Sequence, residues 1–240
     1  MSKFKKSLIS NFKALFWALL IAGVIRTFFI EPFKIPSGSM KPNLLIGDFL
    51  FVSKWDYGYS RYSFPFGLGP IKGKIFEKEP KIGDVIVFKL PPKNKINYVK
   101  RLVGLPGDTI KVEDGIIYVK NKNSDGFVSY QQKEIKPFYD DQNGNLVQQL
   151  KENNNIKNYN ILNYSYPNFS SIDNTKEFFI PDDHYFFMGD NRDQSSDSRD
   201  PYNTVGFVPK ENIIGKVRII FISFEKKFKL RFERFFKKIF

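Results

Sequence analysis

The chain has 240 residues, carries 38 Lys and Arg against 25 Asp and Glu for a formal net charge of +13, and contains no cysteine. That length supports one sizeable core, or one core with a smaller subdomain, and the missing thiols exclude disulfides, thiolate catalysis and cysteine-ligated zinc or iron–sulfur sites. The single histidine, His184, excludes a multi-histidine metal centre and leaves any Ser-His-Asp triad resting on one residue, while the positive charge points to nucleic acid or acidic lipid.

Lys3, Lys5, Lys6 and Lys13 precede an apolar stretch from Ala14 to Ile30, and no acidic residue occurs before Glu31. This asymmetry predicts a basic cytoplasmic N-terminus over 1–13, a transmembrane anchor over 14–30 and the remaining chain on the outer side. Seventeen residues at 1.5 Å each span roughly 26 Å, at the short end for a crossing helix, with Arg26 near the far end free to snorkel. A cleavable signal sequence has the same basic start and apolar middle. It closes on small residues, however, and here the run ends in Phe28, Phe29, Ile30, Glu31, Pro32 and Phe33, so the segment reads as an uncleaved anchor. The later apolar run from Ile213 to Phe224 is too short to span and contains Lys216 and Arg218, which predicts a single pass.

From 31 to 120 short apolar runs alternate with turn signals such as Pro36-Ser37-Gly38, Ile82-Gly83-Asp84 and Leu105-Pro106-Gly107-Asp108, a pattern of β structure. Val85 to Phe88 reads as a buried strand, and Asp108 to Tyr118 as a hairpin turning at Glu113-Asp114-Gly115. Residues 121–177 are rich in Asn and Gln, with few apolar clusters, and read as an inserted β or irregular subdomain or a surface excursion without catalytic residues. Apolar runs resume over 178–223 at Phe178-Phe179-Ile180, Tyr185 to Met188 and Val217 to Ile222, so the main sheet is expected to be discontinuous in sequence. The tail over 224–240 places Phe228, Phe232, Phe235, Phe236 and Ile239 at helical spacing among Lys226, Lys227, Lys229, Arg231, Arg234, Lys237 and Lys238. That is a basic amphipathic stripe, suited to a membrane surface or to packing as a terminal helix or strand.

Three segments carry candidate chemistry. Lys34 to Met40 lies just past the anchor and holds Ser37-Gly38-Ser39, where glycine lets a substrate carbonyl approach and small neighbours leave a hydroxyl and an amide free for an oxyanion. Tyr98 to Val103 offers Lys100 and Arg101 in a strand-like run; alternation puts Tyr98, Lys100 and Leu102 on one face, and either cation could point inward or both could be solvated. Gly189 to Arg199 packs carboxylates, amides, hydroxyls and guanidinia into one turn-rich stretch, which a solvated loop could also use.

Taken in order, the anchor, Pro36-Ser37-Gly38-Ser39-Met40, Gly83 to Lys89, Tyr98 to Asp108 and Gly189 to Arg199 closely resemble the bacterial type I signal peptidase family, over roughly Ile30 to Lys120 and Pro181 to Ser223. The resemblance implies a mainly β fold, an N-terminal transmembrane helix followed by an antiparallel β-sheet catalytic domain with the smaller insert. It implies a membrane-bound serine endopeptidase that cuts signal peptides from exported preproteins after small residues at −1 and −3, with no cofactor and no metal. By the same resemblance Ser39 is the nucleophile and Lys100 the general base. Ser37 supplies an oxyanion-hole hydroxyl, Ser195 orients the lysine, Asp197 and Arg199 form a supporting ion pair, and Phe33, Ile35, Met40 and Val99 line the substrate pockets. The partners implied are preprotein signal peptides and the phospholipid of the cell inner membrane, with no nucleic acid. The insert is short and cysteine-free, Gln194 and Ser196 occupy positions that vary in the family, and His184 falls outside the matched catalytic positions.

A lysine ordinarily titrates near 10.4, so such a role requires Lys100 to be desolvated by neighbours such as Tyr98, Val99 and Leu102; a value near 8 corresponds to roughly 3 kcal/mol against the ammonium. Two rival readings keep the same residues. One is a self-cleaving Ser/Lys protease of the SOS-repressor kind, against which the membrane segment argues; the other is a non-enzymatic, basic, membrane-tethered binding protein.

Overall fold

The computed structural model describes residues 3–67, 69–164, 172–200, 205–225 and 228–239. Helix α1, Lys3–Phe28, contains an apolar stretch, Ile9–Phe28, of mean hydropathy 1.4, exposed along its length apart from the half-buried Gly23 and the buried Thr27 near its end. Its 20 residues reach about 30 Å, enough to cross a bilayer core. The helix begins well before Ala14 and ends two residues before Ile30, because Pro32 biases its predecessor toward extended backbone and strand β1, Ile30–Lys34, begins at once. Arg26 does not simply snorkel. Its guanidinium donates to Glu31 Oε1 at 2.8 and 3.1 Å, and the buried Lys54 Nζ holds Glu31 Oε2 at 2.8 Å. The Tyr59 hydroxyl donates to the Phe28 carbonyl at 2.8 Å, so the helix end is fastened to the sheet.

After β1 the described strands follow as β2 Asp48–Ser53, β3 Tyr59–Ser60, β4 Lys74–Ile75, β5 Val85–Lys89, β6 Asn97–Gly104, β7 Thr109–Glu113 and β8 Ile116–Lys120. The insert contributes β9 Val128–Ser129, β10 Gln131–Asp140, β11 Asn145–Asn153 and β12 Asn158–Asn163. The chain then forms β13 Phe178–Phe179, β14 His184–Met188, β15 Val208–Pro209, β16 Ile213–Ser223 and β17 Lys237–Lys238. The main sheet runs β1-β2-β16-β5-β6-β14-β15, with β17 on β16, and its pairings are antiparallel. The protein is therefore a mainly β structure with one N-terminal apolar helix and a curled antiparallel sheet, as expected.

Strand β5 shows why its apolar run is continuous. Val85 and Val87 join one buried cluster with Ile35, Met40 and Leu50, while Ile86 and Phe88 join another with Leu102, Phe187 and Ile213. Both faces are covered, so alternation brings no polar residue outward. The β7–β8 hairpin turns where expected, with Asp114 at φ 50 and Gly115 at φ 76, the two left-handed positions of a tight primed turn.

The insert is ordered as β structure where it is described. Strands β10, β11 and β12 make their own antiparallel sheet, whereas β9 pairs with β8 and β13 with β7. Phe178-Phe179 thus rejoins the hairpin rather than the main sheet, which the chain regains only at β14; residues 165–171 of the insert lie outside the described residues.

The tail departs from its helical spacing. Its described residues form a short 3-10 turn, Phe232–Arg234, and then β17 against β16, with Phe228 and Phe236 at φ 59 and 55. Ion pairing explains the departure: the buried Asp48 takes Arg234 at 2.9 and 2.5 Å, and Arg231 donates to the Ile46 and Phe224 carbonyls at 2.6 and 2.7 Å. Two cations of the supposed polar stripe are therefore turned inward, and a helix cannot satisfy them. Lys226 and Lys227 lie outside the described residues.

Candidate active site

The segment leaving β1 is held at both ends. Ile35 donates its amide to the Asp48 carbonyl at 2.8 Å, the Gly47 amide returns to the Ile35 carbonyl at 3.0 Å, and a turn closes with Lys41 N–H on the Gly38 carbonyl at 3.0 Å. Ser39 stands in that turn, half-buried, beside an exposed Ser37 whose hydroxyl lies 3.5 Å from its own. The 189–200 loop closes over it. Asn191 donates its backbone amide to the Ser39 carbonyl at 3.1 Å and its side-chain amide to the Gly38 carbonyl at 3.0 Å.

Lys100 comes from the middle of β6 and is only 2% exposed. Its Nζ hydrogen-bonds Ser195 Oγ at 2.9 Å and lies 5.5 Å from the centre of the Tyr98 ring. Burial pushes its pKa down to about 8; Asp197 draws it upward and Arg199 pushes it further down, and burial prevails. Ser37, Ser39 and Lys100 line one cavity of about 630 Å³, together with Phe33, Ile35, Met40 and Val99. Ser195 reaches it through the lysine, and Gln194 and Ser196 form part of its wall.

Asp197 and Arg199 stand behind Ser195, both buried and paired at 2.9 and 3.0 Å. Asp197 also accepts the Gly189 amide at 3.0 Å. Burial alone would raise the Asp197 pKa, but the Arg199 guanidinium, Lys100 and that amide outweigh it and hold the carboxyl below its ordinary range. Gly189 itself is required by space. A Cβ there would fall 2.2 Å from Ser195 Oγ and 2.6 Å from the Ser39 carbonyl, so only glycine lets the two serine segments meet.

Arg101 resolves the alternatives left open by strand alternation. Neither cation is solvated: Lys100 faces the cavity, and Arg101, 1% exposed, faces the opposite way. There it pairs with Asp190 at 2.7 and 2.8 Å, donates to the Gly83 carbonyl at 2.7 Å and stacks 3.8 Å above the Tyr159 ring. Gly189, Asp190, Asn191 and Asn43 are contributors that motif reading did not single out, although the first three sit inside the quoted loop motif. His184 begins β14 and hydrogen-bonds the Asp182 carbonyl through Nδ1 at 2.9 Å, away from these groups.

Residues 8–222 match the model of the family described as signal peptidase, peptidase S26. The chain is 38% identical over 232 residues to signal peptidase I of Rickettsia typhi, covering 92% of this chain and 83% of that protein. It is 40% identical over 217 residues to signal peptidase I of Rickettsia akari, covering 86% of this chain and 77% of the relative. A crystal structure of a signal peptidase I from Enterococcus faecalis V583 aligns at 26% identity over 58% of this chain and 97% of its own, with a TM-score of 0.33, too low to bear on the fold. A family match that begins inside α1 and ends inside β16 takes in every strand bordering the cavity, and the chain belongs to the signal peptidase family, peptidase S26.

Proposed function

We propose that this chain is a membrane-anchored serine endopeptidase that removes signal peptides from exported preproteins, with Ser39 as nucleophile and Lys100 as general base. The observation that carries the reading is a lysine, 2% exposed and titrating near 8, that shares one cavity with Ser39. In the first step the neutral Lys100 Nζ takes the proton from Ser39 Oγ as that oxygen adds to the scissile carbonyl. The resulting oxyanion is met by the Ser39 amide and the Ser37 hydroxyl, donors that are each worth about 2.7 to 4 kcal/mol of the barrier. The carbon–nitrogen bond breaks, the lysine ammonium returns its proton to the leaving amine, and an ester to Ser39 remains. Lys100 then deprotonates a water that attacks the ester, and the proton passes to Ser39 Oγ as the signal peptide leaves.

Ser195 orients the amine without competing for the serine, and the Asp197–Arg199 pair keeps that loop in place. Phe33, Ile35, Met40 and Val99 make shallow apolar walls suited to small side chains at −1 and −3. Strand β1 pairs with β2 on one side only among the described residues, leaving an edge to which an extended substrate can add. Lys3, Lys5 and Lys6, in the first turns of α1 ahead of its apolar stretch, orient it with its N-terminus in the cytoplasm, which sets Ser39 close to the outer membrane face. No observation favours the self-cleaving repressor or the non-enzymatic reading; the helix ahead of β1 is an apolar segment exposed along nearly all of its spanning stretch.

The test is cleavage of a preprotein by detergent-solubilised protein, comparing wild type, Ser39→Ala and Lys100→Ala and mapping the new N-terminus. Both variants are expected to be folded and inactive. Processing by Ser39→Ala at the wild-type rate would remove the proposed nucleophile.

A further inference from the structure

Lys41 sits two residues after Ser39 and is 2% exposed, a position where an apolar side chain could pack without any charge to satisfy. Its Nζ instead meets Asp140 Oδ1 at 2.6 Å and Gln142 Oε1 at 2.9 Å, and the Asp140 side chain is fully buried. Asp140 is the last residue of β10 and belongs to the insert. Its other oxygen accepts the Tyr164 hydroxyl at 2.5 Å, and the Gln142 amide donates to Oδ1 at 3.1 Å, so the carboxylate is held from several sides. The Lys41 stem also lies under the turn: a Cβ on Gly38 would come within 3.2 Å of Lys41 Cε.

The contacts continue along the insert. Asn43 donates to the Asn160 carbonyl and to Asp190 Oδ2, each at 2.7 Å. On the other flank, the Leu162 amide donates to the Asp190 carbonyl at 2.9 Å, Arg192 returns its amide to the Leu162 carbonyl at 3.0 Å, and the Arg192 guanidinium pairs with the buried Glu152 of β11. One small sheet thus grips both segments of the proposed site, the turn bearing Ser39 and the loop bearing Ser195.

We infer that the β10–β12 sheet is a brace for the catalytic turn, with Lys41 and Asp140 as positioning residues that act on the reaction through Ser39. The inference rests on the reading of Ser39 as nucleophile. Its physical ground is tolerance: a misplacement of about 1 Å at a reacting group can cost about a hundredfold in rate, and a turn containing Gly38 has little stiffness of its own. A charged pair with a bidentate set of acceptors fixes a distance and a direction that apolar packing leaves looser.

The experiment measures kcat, KM and thermal unfolding on a signal-peptide substrate for the full-length protein and for Ser39→Ala, Lys41→Met, Asp140→Leu and the double variant Lys41→Met/Asp140→Leu. The double variant buries no unpaired charge, so it keeps the test open if either single change unfolds the protein. The brace predicts a kcat at least tenfold lower in the folded double variant, with KM within about twofold of wild type and an unchanged midpoint in the pH profile. It also predicts partial recovery of kcat in the swapped pair Lys41→Asp/Asp140→Lys. A double variant with wild-type kcat, or a loss that only follows the unfolded fraction, overturns the brace while an inactive Ser39→Ala leaves the nucleophile standing. Full activity in Ser39→Ala overturns the nucleophile and the brace with it.

Discussion

Lys100 and Lys41 both meet the Ser39 region, one from β6 through the shared cavity and the other two residues along the chain, and each is 2% exposed. They differ in their partners. Lys41 ends on a carboxylate, Asp140, reinforced by Gln142, whereas the hydrogen bond from Lys100 goes to a hydroxyl, Ser195, with its nearest carboxylate, Asp197, committed to Arg199. Burial with a dedicated counter-charge makes a strut; burial with a neutral partner makes an amine that can lose its proton near working pH. On the proposed reading, the same residue type serves as scaffold or as base according to what faces it.

Substitution at the proposed base should break that contrast most severely. Lys100→Met keeps length and bulk but removes the titrating nitrogen, and turnover of a signal-peptide substrate is expected to fall by about 10⁴-fold or more. Gly189→Ala comes next: its methyl must displace Ser195 or the Ser39 carbonyl, and a loss of about a hundredfold in kcat is expected, with the Met188 and Asp190 flanks still able to fold. Ser195→Ala leaves Lys100 buried but unaimed, for a loss of about tenfold to a hundredfold that should appear in kcat rather than KM.

Stability gives the sharpest form of the comparison, because the same change should act in opposite directions at the two lysines. Lys41→Met leaves Asp140 buried without its ion-pair partner and should cost about 3 to 5 kcal/mol in denaturant unfolding. Lys100→Met should stabilise at pH 7. The unfolded lysine titrates near 10.5 and the folded one near 8, so the folded state binds its proton less readily. The cost is on the order of 3 kcal/mol below pH 8 and vanishes above the unfolded pKa. The gain from Lys100→Met should therefore shrink to nothing as pH rises toward 11.

Much of the architecture was legible because local pattern and tertiary role agree there. The apolar stretch of α1, the turn at Asp114-Gly115 and the buried run of β5 each follow from spacing and composition alone. The motif residues quoted from three distant segments meet at one cavity, which no local pattern could reveal and which the family resemblance supplied. Failures trace to long-range charge. Alternation could not choose between Lys100 and Arg101 because both faces of β6 are covered, and the choice between cavity and ion pair depends on Asp190, 89 residues further on. The tail read as an amphipathic stripe, for a membrane surface or for a packed helix or strand, because Phe spacing is local, whereas the capture of Arg234 by Asp48 spans 186 residues. The insert, read as a β or irregular subdomain or a surface excursion, is β where it is described; its polar composition hides buried carboxylates such as Asp140 and Glu152, whose partners Lys41 and Arg192 lie far away in sequence.

Whether Lys100 works as a neutral amine is tested most directly by the pH dependence of kcat/KM for the free enzyme. The account predicts activity that rises with pH through a single ionisation near 8 and levels off above it, a limb set by burial of Lys100. A profile that stays flat between about pH 6 and 10, or one whose limb moves up to the ordinary lysine value, would contradict it.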